Sequence, residues 1–270
     1  MHTGFGFALK PCCDYRCAYT ARESPMPDHK RRAHVIADRD SRLLKSAKII
    51  KLIGEQRFGA ADNLLEVGCG SGVISSALAV AGQGQLDVCA VDVADNRIEK
   101  DGYDFQQIDG TTLPYPDKSF DLVVTNHVIE HVGDRTAQLH HLQEITRVLK
   151  PDGLIYLAVP NRWRVFEPHY RLPLLSWLPQ WSSDAYVRLS RRGTHYDCRP
   201  LGPRDAIALF REANMQIQDA TLDALRATLS IEHHSQPLAR LINKLLPNWM
   251  LSISMPIIPT FVFLLRPRQP

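Results

Sequence analysis

His127, Glu130 and His131 stand at positions i, i+3 and i+4 of the stretch Asn126-His127-Val128-Ile129-Glu130-His131, so one helical turn would set all three on one side. An imidazole titrates near neutrality and can take a proton from a hydroxyl, which makes His127 and His131 the first candidates for a general base. His169 and His195 come next. The order His-x-x-Glu-His is formally that of inverted zinc proteases. Here it lies at the end of a strand in what reads as a nucleoside-binding sheet, so the protease reading is rejected. A second group is Gly68, Gly70 and Gly72, spaced G-x-G-x-G directly after Leu64-Leu65-Glu66-Val67. Glycines there let the chain bend sharply and let a ligand touch the backbone. A dinucleotide site would place its third glycine at position 73, where this chain has Val73. Glu66 is a poor neighbour for phosphate and a good one for a cationic or zwitterionic ligand.

These groups need a parallel sheet to hold them. Leu64–Val67 reads as a buried strand, the glycines as a tight turn, and Val73–Ala81 as a helix whose amino end faces the ligand. About twenty residues on, Leu86–Asp92 is a second apolar run ending in an acid, where a carboxylate can accept two hydrogen bonds from a ribose diol. Ile108-Asp109-Gly110, the strand Phe120–Asn126, the stop Lys150-Pro151-Asp152-Gly153 and the strand Leu154–Asn161 follow in order. Leu43, Leu44, Ala47, Ile50 and Leu52 recur at helical spacing between about 40 and 56. After a helix over Arg204–Ala213, Met215–Ala220 reads as a sixth strand and Thr260–Leu265 as a seventh, inserted antiparallel.

From about Asn63 to Asn161 this order and spacing resemble the class I S-adenosylmethionine-dependent methyltransferases, of the small-molecule, type 11-like kind. The resemblance implies an α/β, Rossmann-like sheet of seven strands with an antiparallel last strand and helices on both faces. It places Glu66 and Gly68 near the methionine part of S-adenosyl-L-methionine, with Gly70 and Gly72 letting the backbone approach. Asp92 would take the ribose hydroxyls, Val93 would pack on adenine, Asp109 with Gly110 would receive the adenine amino group, and Asn126 would face the methionine end. The family's helix between Asp92 and Asp109 has room here for only about two turns, over Asp95–Tyr103. Some relatives, including small-RNA 2′-O-methyltransferases, carry E-x-x-E-H after the fourth strand and bind a divalent ion. This chain has His127 in place of the first glutamate, and magnesium prefers oxygen, so no metal is expected at that trio. Because a sulfonium is already a good leaving group, catalysis consists mainly of holding acceptor, methyl and sulfur in line.

The chain has 270 residues, 44 % of them apolar, enough for one large domain over residues 41–270 after a polar arm over 1–40. A net charge of +3 does not argue for a nucleic-acid partner. No signal peptide is read at the start, and the scattered cysteines suit a reduced, cytoplasmic protein. Cys12, Cys13 and Cys17 lie close together but lack a second pair at zinc spacing. Residues 161–204 are too long for a simple crossover, and in this family insertions after the fifth strand cover the acceptor. They hold Trp163, Trp177, Trp181 and an excess of arginine, suited to sugar or lipid faces and to phosphate. Pro160–Trp163 through Leu172–Leu174 resembles methyltransferases of bacterial polysaccharide and glycolipid synthesis. Leu245–Leu265 lacks charge, but prolines interrupt it and its end is needed for the sheet. Residues 245–258 thus remain as an apolar connector that could touch the inner membrane face or a lipid acceptor. The expected activity is O-methylation of a saccharide or lipid-linked saccharide. The alternatives are an isoprenoid quinone or other small aromatic acceptor, and an inert cofactor-binding interaction protein.

Overall fold

The computed structural model describes residues 38–253, 255 and 258–268. The expected arm over 1–40, with Cys12, Cys13 and Cys17, therefore lies almost wholly outside the described residues. Asp38 caps the first helix, its carboxylate accepting from the Ser41 N–H at 3.4 Å.

A seven-stranded sheet organises everything else, and alternation along its strands decides what each residue meets. Its strands are β1 (Asn63–Val67), β2 (Asp87–Asp92), β3 (Asp104–Gln107), β4 (Phe120–Asn126), β5 (Leu149–Pro160), β8 (Met215–Asp219) and β9 (Thr260–Pro267). Across the sheet the order is β3-β2-β1-β4-β5-β9-β8. β1 to β5 pair in parallel, while β9 runs antiparallel to both β5 and β8. The expected seven-stranded sheet with its antiparallel last strand is the one observed, and helices cover both faces.

Successive strand residues point to opposite faces. Leu65, Val67, Val91, Val123, Ile155, Leu157 and Phe263 enter one core, with Leu142 and Ile145 of α4 (Arg135–Val148) and Leu209 and Phe210 of α6 (Pro203–Glu212). Leu64, Val88, Leu122, Val124, Tyr156 and Leu264 enter the other. There they meet Ile49 and Ile53 of α1 (Arg39–Ile53), Phe58 of α2 (Glu55–Gly59), Ile74 and Leu78 of α3 (Val73–Ala81) and Ala224 of α7 (Thr221–Ala227). Glu66 shares the parity of Leu64, and Asn126 that of Leu122 and Val124. Both therefore belong to the face covered by α1 and α3.

Two expectations change, and one strand appears where none was read. The buried face of α1 is Ser46, Ile49 and Ile53, while Ala47 is exposed. This helix packs against α3 on one side and against 221–232 on another, where Lys48 pairs with Glu232. Two contacts share out its apolar residues, so no single stripe marks the inside. Residues 93–103 contain no helix. Arg97 binds Asp95 at 2.8 Å and lies 3.7 Å over the Phe105 ring, holding this segment as a loop instead. The third strand is the polar Asp-Phe-Gln-Gln of β3 at the sheet edge, which no apolar alternation marks.

After β5 the chain leaves the sheet as a subdomain of its own. It comprises a hairpin of β6 (Phe166–Glu167) and β7 (Leu172–Pro173), then α5 (Gln180–Leu189). Leu172, Leu175, Val187, Tyr196 and Cys198 form its separate core. The uncharged run near the carboxyl end divides among α8 (Pro237–Leu245), α9 (Asn248–Ser252) and β9. Among the described residues no helix is long and apolar enough to cross a membrane.

The face assignment of α1 can be tested by chemical denaturation. Ile49→Ala should cost about 2–5 kcal/mol, as truncation of a fully buried isoleucine does. Ala47→Ser, on the exposed side, should stay within about 0.5 kcal/mol of wild type. Equal effects would restore the amphipathic stripe read from the sequence.

Candidate active site

The glycine turn is held in place from three sides. Gly68, Gly70 and Gly72 all take positive φ (78°, 54° and 75°), a region that side chains rarely tolerate. A Cβ on Gly68 would collide with the Val128 side chain, so the turn lies directly against the loop that follows β4. A Cβ on Gly72 would strike the Tyr103 hydroxyl and the Glu99 carbonyl. The space around Gly72 is thus filled by the chain's own 95–103 loop. From the second strand, Asp92 Oδ2 accepts the Gly70 N–H at 2.8 Å. Asp92 lies at the end of β2, opposite Gln107, and Val93 beside it is exposed. Ile108 donates its N–H to the Asp92 carbonyl (2.9 Å), bringing Asp109 and Gly110 to the same end of the sheet, both exposed.

Glu66 is buried under α3, where the Ser75 hydroxyl donates to its carboxylate. Burial pushes its carboxyl up to about 8, against the opposing pulls of Ser75 and the Arg42 guanidinium. Arg42, on α1, has a buried Nε with no hydrogen-bond partner among the described residues, and Asn126 Nδ2 is in the same position. Buried polar atoms normally have partners, so these two donors are available to a ligand's oxygens. A neutral acid next to two unmatched donors, on one face beside the glycine turn, fits the amino-acid end of a zwitterionic ligand. The ammonium would meet Glu66, and the carboxylate would meet Arg42 and Asn126.

Residues 127–134 are not helical, contrary to the expected turn. His127 takes φ +60°, its N–H donating to the Ala158 carbonyl at 3.0 Å, and His131 N–H closes back on the Val128 carbonyl at 2.8 Å. The next helix, α4, starts only at Arg135, capped by Asp134. The tight loop still gathers the three side chains, because His127 Nδ1 lies 3.5 Å and His131 Nε2 lies 3.9 Å from Glu130 Oε1. Glu130 is almost fully buried, and neither oxygen has a hydrogen-bond partner among the described residues.

The two histidines then part. His127 Nε2 faces Thr260 Oγ1 at 3.4 Å, across β9. Burial pushes its imidazole below the usual value despite Glu130, so it is neutral at pH 7 and able to accept a proton. His131 instead turns to the insertion, with Nδ1 3.7 Å from Cys198 Sγ and its ring edge-to-face with His169 at 5.5 Å. His195 is exposed and bonded to its neighbour Thr194. One carboxylate and two imidazoles make a poor set for a magnesium-type ion, which wants oxygen ligands.

Within the insertion the arginines divide. Arg164 is buried and paired with Glu167, which also accepts the Tyr170 N–H at 2.7 Å. It ties the hairpin together, and the expectation of a phosphate-facing group fails there. Arg162 lies 5.8 Å over the Trp163 ring. Trp163 and Trp177 form an edge-to-face pair at 5.8 Å, both a little under half exposed, beside exposed Val165, Phe166 and Leu174. The insertion therefore offers these aromatic and aliphatic side chains together with the exposed Arg171, Arg188, Arg191, Arg192 and Arg199. Arg42, the Trp163–Trp177 pairing and Cys198 were not singled out from the sequence. Arg42 falls among lysines on one helix, and pairings across distant segments leave no spacing to read.

The chain resembles known proteins along these same elements. Residues 65–157 match a family described as a methyltransferase domain. The 27-O-demethylrifamycin SV methyltransferase of Amycolatopsis mediterranei is 30 % identical over 126 residues, which cover 41 % of this chain and 44 % of that protein. The ubiquinone biosynthesis O-methyltransferase of Xanthomonas oryzae pv. oryzae is 28 % identical over 174 residues, covering 60 % and 66 %. The chain thus spans less than two thirds of the length of either relative. A SAM-dependent methyltransferase structure from Archaeoglobus fulgidus superposes with a TM-score of 0.49 at 16 % identity, over 83 % of this chain and 94 % of that one. The family match runs through β1, β2 and β4, the strands that carry Glu66, Asp92 and Asn126, so it is this part of the chain that is similar to a methyltransferase domain.

Proposed function

We propose that this protein is an S-adenosylmethionine-dependent O-methyltransferase whose acceptor carries its hydroxyl on a substantially apolar molecule. The observation that carries this reading is His127: a neutral imidazole backed by the buried Glu130, at the end of β4 and next to the glycine turn. Bound there, the cofactor supplies a methyl group on a sulfonium. The protein's part is to hold that group and the acceptor oxygen in line and to take the hydroxyl proton. Glu130 on Nδ1 leaves Nε2 to receive the proton and stabilises the imidazolium that results. His131, turned to Cys198, is not the base in this reading. Asp92, whose Oδ2 accepts the Gly70 N–H and whose Oδ1 accepts the Ala94 N–H at 3.4 Å, keeps lone pairs that serve the ribose, and exposed Val93 and Asp109 serve the adenine side.

The acceptor is read from the insertion. Trp163, Trp177, Phe166 and Leu174 suit a sugar face or an aromatic ring joined to an aliphatic chain. A lipid-linked saccharide is the first choice. An isoprenoid aromatic hydroxyl is the second, favoured by the relative named a ubiquinone biosynthesis O-methyltransferase. The apolar side chains Leu238, Leu241, Leu245, Trp249, Met250 and Ile253 are exposed on α8, on α9 and just after, beside Arg240 and Lys244. They would let the protein meet such an acceptor at a membrane surface, in a cytoplasmic setting, without spanning it.

Four measurements test the reading. Calorimetry with S-adenosylmethionine should show Asp92→Ala weaker by the value of one or two charge-assisted hydrogen bonds, about 1.5–3 kcal/mol each. Because free Glu66 holds its proton up to about pH 8, an arriving ammonium must expel it. In two buffers of different ionisation enthalpy at pH 7, wild type should release about one proton more than Glu66→Gln. Equal release would remove Glu66 from the methionine end.

Turnover should fall about 10²–10⁴-fold in His127→Ala with cofactor affinity nearly intact. Its acid limb in wild type should lie below the ordinary histidine value, since the rate is lost as pH falls through a lowered pKa. A cofactor-binding protein with no turnover on either lipid-linked saccharides or prenylated phenols would support the inert alternative instead.

Trp163→Ala and Trp177→Ala should raise acceptor KM with little change in cofactor binding. Arg164→Ala should show itself in stability, because it breaks a buried pair. Tryptophan variants with wild-type acceptor kinetics would move the acceptor off this face.

A further inference from the structure

His131, His169 and Cys198 come from three separate segments, namely the loop after β4, the turn between β6 and β7, and the stretch after α5. Their potential ligand atoms nevertheless all lie within 4.8 Å of one another. We propose that these three side chains bind a zinc-class divalent cation, which fastens the insertion to the catalytic end of β4.

The donor set selects the ion. Two imidazoles and a thiolate suit zinc and its neighbours and do not suit magnesium or calcium. Distances agree. In a tetrahedral zinc site, bonds of about 2.3 Å to sulfur and about 2.05 Å to nitrogen put S and N about 3.6 Å apart. Cys198 Sγ and His131 Nδ1 are 3.7 Å apart. Closing the widest pair needs only about 1 Å of side-chain adjustment.

The other nitrogen of His131 strengthens the case. Nε2 faces the buried Glu130 carboxylate at 3.9 Å. A metal-binding histidine characteristically donates its second N–H to a carboxylate, which sets the ring and raises its basicity. Glu130 would then serve both histidines, one on each side. Coordination needs the thiolate, so Cys198 gives up its proton on binding. Asp197 Oδ1, 3.5 Å from Cys198 Sγ and hydrogen-bonded to the Tyr170 hydroxyl at 2.6 Å, is the first group able to receive it. Three protein ligands leave a fourth position for water or another oxygen.

The test needs no turnover, so it stands or falls apart from the methyltransferase reading. Full-length protein stripped of metal is titrated with Co²⁺. The expected result is one equivalent bound in a four-coordinate spectrum with a thiolate-to-cobalt charge-transfer band, which Zn²⁺ then bleaches. Cys198→Ser should lose that band, and His169→Ala should bind Co²⁺ at least tenfold more weakly. Glu130→Gln should lose roughly 10–100-fold in affinity and keep the band. Circular dichroism and cofactor binding establish that each variant is folded. A band that persists in Cys198→Ser would put the cobalt on a different cysteine and overturn the proposal. So would the absence of any thiolate band in folded wild type, which would leave His131, His169 and Cys198 as a packed cluster.

Discussion

The structure turns on the contact between Gly68 and Val128. Here two loops from neighbouring strands approach so closely that a single methyl group on Gly68 has nowhere to go. The cost of that approach is borne by the backbone, which takes positive φ at three glycines. What it achieves is adjacency. The turn expected to hold one reactant and the loop expected to deprotonate the other are packed on each other, with no water layer or mobile segment between them. Asp92 fixes the far side of the same turn through Gly70. In-line transfer depends on such fixed spacing, because misplacement by about an ångström can cost a hundredfold in rate.

Much of this was legible in the sequence because the signals were local. The run Leu64–Val67 into three glycines, the acid ending Leu86–Asp92, and the apolar Thr260–Leu265 each state their own structure within ten residues. Alternation then extends the reading, since Glu66 and Asn126 must fall on the face of α1 and α3 once the strands are parallel. What stayed hidden has physical reasons. β3 is polar because it is an edge with exposed surroundings, so hydrophobic period says nothing. The inward side of α1 was obscured because α3 and residues 221–232 both bury part of it. The loop at 127–131 looked helical because i, i+3, i+4 spacing has more than one realisation. A left-handed residue at His127 brings the same three side chains together.

The insertion shows the same contrast at larger scale. Its arginine-rich composition suggested a basic surface, but composition does not record pairing. Arg164 spends its charge inside, on Glu167, while Arg171, Arg188, Arg191, Arg192 and Arg199 are exposed on the same insertion as the tryptophans. A small core of Leu172, Leu175, Val187, Tyr196 and Cys198 lets this segment hold its own shape. It is tied to the loop after β4 by Arg199, whose N–H donates to the Glu130 carbonyl at 2.8 Å. A subdomain attached this way can vary its outer face without disturbing the nucleoside-binding end.

The antiparallel strand β9 has a consequence for how the protein is made. It is the last strand in the chain, yet it lies between β5 and β8 and supplies one neighbour to each. Until residue 267 has left the ribosome, β5 has an open edge and β8 has no place in the sheet. An unpaired apolar edge, with Ile155, Leu157 and Val159 beside it, is the kind of surface that templates aggregation. At about 5–20 residues per second, the stretch from Leu149 to Pro267 takes several seconds to synthesise. For that interval β5 keeps its open edge, and a chain cut just short of Thr260 would have no strand with which to cover it.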